Sequence, residues 1–154
     1  MEIETRLFGK VMVGDDKVIT LTSGLIGFPE MKRFTLIFDS DKEENGGVMW
    51  LQSLDEPVFA LPVVVPNDIV PDYNPMVNDE LLIPLGEMSP ENTYVLVTVK
   101  VPEKIEDMSI NLKAPIIINT DTLKGDQIIV EDDVDVRFPV YDILKAAKEK
   151  KGEN

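Results

Sequence analysis

The sequence contains no cysteine and no histidine. Without cysteine there is no disulfide framework and no thiol nucleophile. Without either residue the usual ligands of structural zinc are missing, and so is imidazole acid–base catalysis. Aromatic residues make up only 6% of the chain, with a single tryptophan. No apolar run reaches the ~18 residues that a membrane-spanning helix needs, and the N-terminus lacks the basic and apolar regions of a signal peptide. Basic residues are scarce as well: 15 Lys and Arg face 29 Asp and Glu, a formal net charge of −14. Such a surface repels nucleic acid phosphates and anionic membranes, and suits either a basic partner or plain solubility. The expectation is a cytoplasmic protein that touches neither nucleic acid nor membrane directly.

The chain has 154 residues, enough for one domain over 1–154 with a core of its own. Its most informative stretch is Met108 to Asn119. Ile110, Leu112 and Ala114 share one face of an extended chain, with Asn111 and Lys113 on the other. Ile116, Ile117 and Ile118 then run together, as in a strand covered on both sides. Pro115 between them lacks a ladder N–H and predicts a bulge or an edge. Asn111 and Asn119 flank the run, either as turn and core structure or as ligand groups.

Other strands are marked by alternation. Thr93 to Val101 places Val95, Val97, Val99 and Val101 on one face. Phe34 to Phe38, Val48 to Ser53, Val58 to Val65 and Gln127 to Glu131 are further candidates, with Pro62 arguing for an edge or bulge. Gly14-Asp15-Asp16-Lys17 predicts a hairpin joining Lys10–Val13 to Val18–Leu21. Pro29 to Arg33 has the form of one helical turn, and Asn78 that of a cap for a helix over Asp79 to Leu85. Val140, Ile143, Leu144 and Ala147 recur at helical spacing after Pro139, so a last helix ends the chain, with a disordered tail after about residue 151. Many short strands with little helix give a mainly β fold, a small antiparallel barrel-like domain with a C-terminal helix.

Gly24-Leu25-Ile26-Gly27-Phe28 interrupts this pattern. Its glycines suit positive φ, and its side chains are too apolar for solvent. The loop therefore reads as a plug with Phe28 buried; the alternative is an exposed apolar contact.

No motif carries chemistry. A nucleophile elbow, a phosphate loop and a dinucleotide fingerprint are all lacking. The acidic loop Asp39 to Gly47 has no calcium-binding ladder. Glu131, Asp132, Asp133 and Asp135 would suit a hard cation, but a solvated strand end is the simpler account. No catalytic residue, metal or cofactor is expected, and a binding protein is favoured. The competing reading is a carboxylate-dependent hydrolase with a barrel active site, which requires two pocket carboxylates of raised pKa.

Three motifs in order resemble the FliW family of flagellar assembly factors: Gly24-Leu25-x-Gly27-Phe28, Leu51-Gln52-Ser53, and Asn111-Leu112-x-Ala114-Pro115 followed by Asn119 and Gln127. The resemblance covers nearly the whole chain. It implies a small barrel-like adaptor without enzymatic activity that binds two partners in alternation. One is flagellin before export. The other is CsrA, a small basic RNA-binding dimer that represses flagellin translation. The motif residues themselves read as structural. Flagellin's amphipathic termini call for exposed apolar side chains, and Tyr73, Met76 and Val77 beside the proline-rich crossing are the candidates. For CsrA there are two acidic patches, Asp41 with Glu43 and Glu44, and Glu131 with Asp132, Asp133 and Asp135. The second is preferred, because a strand end is held more firmly than a glycine-rich loop.

Overall fold

The computed structural model describes residues 1–38 and 48–152. The acidic loop with Asp41, Glu43 and Glu44 lies outside the described residues, as do the last two residues of the tail and the side chain of Ala147.

Seven strands close into a barrel: β3 (Ile19–Leu21), β4 (Arg33–Phe38), β5 (Met49–Ser53), β6 (Ala60–Val64), β7 (Thr93–Lys100), β9 (Ile116–Asn119) and β10 (Lys124–Gln127). They neighbour one another in that order, and β10 returns to β3. Every pairing in the ring is antiparallel except the closing one, where Lys124 faces Thr20 and Gly125 faces Leu21 in parallel. A parallel pair cannot be joined by a hairpin, so the ring closes through chain ends far apart in sequence. Closure leaves no free edge for the β-branched strands.

Before the barrel, β1 (Glu2–Thr5) and β2 (Gly9–Met12) form a hairpin of their own. The hairpin expected across Gly14–Lys17 is thus displaced: Asp15–Lys17 form a 3-10 turn leading into β3. The Thr5 side chain decides this, donating to Gly9 O at 2.9 Å and accepting Phe8 N–H at 2.8 Å. Phe8 then meets Trp50 edge to face at 6.5 Å. The helical turn expected at Pro29 to Arg33 is likewise not formed; residues 29–30 turn and β4 begins at Arg33.

The stretch Met108 to Asn119 lies along one edge of β7. Two strands pair there in succession, β8 (Ser109–Ile110) with Val99 and Lys100, and β9 with Thr93 to Leu96. Between them the chain leaves the ladder at Asn111 to Pro115, as the proline requires. Pro62 in β6 also lies outside the pairing with β7, which involves only Val63 and Val64.

The barrel interior is packed by Leu21, Phe34, Leu51, Val63, Leu96, Ile116 and Ile118. Ile117 points the other way, onto Leu85 and Ile128, so the isoleucine run is covered on both faces. The outer face of β7 is a second core, where Val97 and Val99 meet Tyr73, Ile110, Leu112 and Val140. Val101 at the end of that face is exposed. A segment 128–136, β11 (Phe138–Pro139) and the helix α2 (Tyr141–Gly152) follow β10; α1 (Asp79–Leu82) is capped by Asn78, whose side chain accepts Glu80 N–H. Leu81 is exposed, while Leu85, in the 3-10 turn that follows α1, is fully buried.

Val97 is fully buried beneath that outer layer. Val97→Asp puts an unpaired charge in a dry core, at a cost comparable with the roughly 5–15 kcal/mol that holds a small domain together. The expected result is loss of the cooperative urea transition. A variant that melts like the parent would refute this packing.

Candidate functional site

The apolar loop and the Asn111 turn are held together by one side chain. Gln127 ends β10. Its Oε1 accepts the Ile26 N–H at 3.0 Å, and its Nε2 donates to Ala114 O at 3.1 Å. Asn111 shapes the turn from inside, its Oδ1 accepting Lys113 N–H at 3.0 Å and Ala114 N–H at 3.2 Å. The loop has its own clasp: Leu25 and Phe28 exchange backbone bonds of 3.2 and 2.9 Å. Gly24 at φ +73° sits so close to Pro29 that a Cβ would lie 2.2 Å from its carbonyl oxygen, and Gly27 has φ +89°. Asp126 fixes the approach, accepting from the Thr22 hydroxyl and from Ser23 N–H.

This clasp turns Leu25 into the barrel and leaves Ile26 and Phe28 outside, each 48% exposed. The expectation of a buried Phe28 is therefore corrected. A loop of this size has room for one inward apolar side chain, and Leu25 takes it. The Phe28 ring stands on Phe59 at 5.3 Å, and Phe59 leans on Phe34 at 6.3 Å. Gln52 and Ser53 build that support. Gln52 Nε2 donates to Ser53 O, Pro57 O and Phe59 O, and Ser53 Oγ accepts Asp55 and Glu56 N–H. Leu51 fills the interior beneath.

Asn119 lies elsewhere. It is fully buried, its Nδ2 donates to Leu85 O and Glu87 O, and its Oδ1 accepts Asp121 and Thr122 N–H. Both donors and both lone pairs are spent on the backbone, so nothing remains for a ligand.

Two recesses open on this side of the barrel. The first, about 470 Å³, lies between the loop and the segment 128–136, over Val99 and Ala114. Its walls are Ile26, Phe28, Ile129 and Val136, the last two 62% and 58% exposed. Lys100 and Lys113 also line it, and no carboxylate does among the described residues. The second recess, about 380 Å³, has the opposite character, with Asp72, Asp132, Asp133 and Asp135 beside Tyr73 and Phe138.

One strip of chain separates them. Ile128 and Val130 are buried and bonded through N–H to Pro115 O and Lys113 O, both at 2.9 Å. Lys113 Nζ donates to Asp132 O at 2.6 Å, and Leu112 N–H to Asp135 O at 3.0 Å. Ile129 and Val136 thus face the apolar recess while Asp132, Asp133 and Asp135 line the acidic one.

Of the surface residues expected from sequence, Tyr73 is corrected: it is buried, and its hydroxyl donates to Leu112 O at 2.6 Å. Its position among prolines hid a partner 39 residues away. Val77 is half-buried against the Leu85 cluster, whereas Met76 is 75% exposed and gives its N–H to Asp132 Oδ1. Glu131, Asp133 and Asp135 are exposed and Asp132 partly so. No cluster of three or more acidic side chains spaced for a metal occurs among the described residues. Sequence reading missed Ile129, Val136 and Lys100. The signal for Ile129 was present: the strand expected over Gln127 to Glu131 ends at Gln127, but the alternation carries on, with Ile128 and Val130 inward and Ile129 outside.

The chain matches the family model described as FliW protein over residues 2–140. Relatives named flagellar assembly factor FliW are 47% identical in Lachnospira eligens (94% of this chain, 97% of that one) and 43% in Lachnoclostridium phytofermentans (99% of each). The chain belongs to the FliW family. The backbone agrees with a crystal structure of a flagellar assembly factor FliW at TM-score 0.78 and 24% identity, covering 90% of this chain and 94% of that one, a likeness of fold. FliW proteins are assembly factors, not enzymes, and the hydrolase reading is set aside on that ground. Among the described residues no helix is long and apolar enough to cross a membrane.

Two outcomes follow from this geometry. Gln127→Leu removes both bonds of the clasp and is expected to cost about 1–3 kcal/mol, with faster hydrogen exchange at the Ile26 amide; unchanged exchange there would refute the clasp. Burial first, and then the Asp132 charge, push the Tyr73 hydroxyl up to about 12. The unfolded chain ionises near the ordinary value of about 10, so the stabilisation is complete below that pH and is lost as pH rises through about 12. Tyr73→Phe is expected to flatten the fall in stability across that window, measured by urea titration at each pH; a fall as steep as the parent's would contradict the assignment.

Proposed function

We propose that this protein is a cytoplasmic flagellar assembly factor that binds flagellin and CsrA in alternation, relieving CsrA repression when flagellin is exported. The observation that carries the reading is the pair of unlike recesses sharing the strip 128–136. An apolar recess with firm aromatic support suits an amphipathic segment, the kind of surface an unassembled flagellin presents. The acidic recess suits a basic RNA-binding protein and would steer it electrostatically while RNA is repelled. Sharing one wall gives a physical basis for alternation, because a partner that shifts the strip changes both recesses. Flagellin contact moves accordingly from Tyr73 to Ile26, Phe28, Ile129 and Val136, with Met76 beside the acidic recess.

The test uses exposed acidic residues whose carboxylates bond no backbone group among the described residues. Asp133→Lys with Asp135→Lys is expected to slow CsrA association about tenfold at low salt, with the effect fading as salt rises, and to leave flagellin binding intact. An unchanged association rate at low salt would remove the acidic recess from the mechanism. Absence of both partners from a complex with the parent protein would remove the proposal itself.

A further inference from the structure

We propose that the apolar recess selects a flagellin segment that carries a carboxylate beside its apolar anchors, and that Lys100 and Lys113 are the residues that select it. The inference rests on the flagellin reading above and adds the charge of the segment.

Charge on this protein is lopsided, with 29 acidic residues against 15 basic ones. A recess lined by two lysines and no carboxylate among the described residues departs from that background. The ion pairs among the described residues are Lys10 with Glu2 and Arg33 with Asp55, so neither recess lysine pairs with a carboxylate of the described residues. Lys113 is held in place all the same: its ammonium donates to the Asp132 carbonyl, and its backbone N–H and O are tied to Asn111 and Val130. That bond orients the charge and leaves two of its three N–H donors for a partner. Lys100 is exposed at the end of β7.

The surroundings raise the value of these charges. Ile26, Phe28, Ile129 and Val136 supply apolar walls, and a segment seated on them displaces water. A lysine–carboxylate pair formed there is worth more than the same pair in open solvent. The net charge of −14 repels an acidic segment at long range, and the two lysines offset that repulsion locally at the recess. The recess therefore discriminates by sign as well as by hydrophobicity, which a purely apolar groove does not. A basic amphipathic segment, including one from CsrA, is rejected by the same lysines.

The test titrates the full chain with monomeric, unpolymerised flagellin at low and high salt, using the parent, Lys100→Glu and Ile129→Asp. Lys100→Glu is expected to weaken flagellin binding about tenfold at low salt and less at high salt, with unchanged melting temperature and unchanged CsrA binding. Ile129→Asp should weaken binding at both salt concentrations. Zero-length carbodiimide coupling of the parent complex should join Lys100 or Lys113 to aspartate or glutamate of flagellin. If Ile129→Asp weakens binding while Lys100→Glu binds like the parent and the coupling maps elsewhere, flagellin uses the recess without the lysines and the inference is overturned, with the flagellin reading intact. If flagellin does not bind the parent, the flagellin reading falls, and the inference with it.

Discussion

Closure through the parallel β10–β3 pair is the constraint on which the rest of the molecule depends. All other neighbours in the ring are antiparallel and most are consecutive in sequence. The closing contact joins Leu21 to Gly125 across about a hundred residues, and it is tight: a Cβ on Gly125 would lie 2.8 Å from Ile117 O and 3.3 Å from a Leu21 methyl. A substituted residue there would push β10 away from both neighbours at once. Everything at the candidate site hangs from this point. Asp126 and Gln127 follow directly, and they hold the chain at Thr22, Ser23 and Ile26. The loop that presents Phe28 is therefore positioned by the same contact that closes the barrel.

Much of the scaffold was legible because its signals are local. The isoleucine run of β9 reads as doubly covered, and it is; Pro115 reads as a break in the ladder, and the chain leaves β7 there. Asn78 caps its helix as a side chain that competes for backbone N–H should. What failed was set by distant contacts. Tyr73 looked like a surface residue between prolines, yet a carbonyl on the Asn111 turn takes its hydroxyl. Phe28 looked too apolar for solvent, but the loop has one inward position. The parallel closure has no signature in any window of sequence, since register between β3 and β10 is decided only when both are assembled. The apolar recess was invisible for the same reason: its walls come from the loop, from β7 and from the strip after β10.

The two recesses also explain why a strongly acidic protein keeps two lysines where it does. Lys113 is half of a structural device, since its ammonium ties the strip at Asp132 while its carbonyl receives Val130 N–H. Asp132 is the other half. Its carbonyl faces Lys113, and its carboxylate takes Met76 N–H across the acidic recess. Asp132 thus ties the strip on both sides, in addition to the backbone bonds at Ile128, Val130 and Asp135. The alternation proposed above needs an element that both sites touch, and the strip is the element that lines both.

The clasp of the loop fixes the other wall of the apolar recess. Leu25 is buried in the barrel end, and the Gln127 bonds fix the loop to a strand rather than to solvent-facing chain. The wall made by Ile26 and Phe28 is therefore tied to the barrel through β10. The opposite wall, Ile129 and Val136, rides on the strip, whose hold on the barrel runs through a few backbone bonds and one ammonium. Both walls are thus built on bonded chain, one through the Gln127 side chain and the other through the backbone of the strip. The recess between Phe28 and Ile129 is therefore bounded by the strip, and it is the strip that carries the carboxylates of the neighbouring recess.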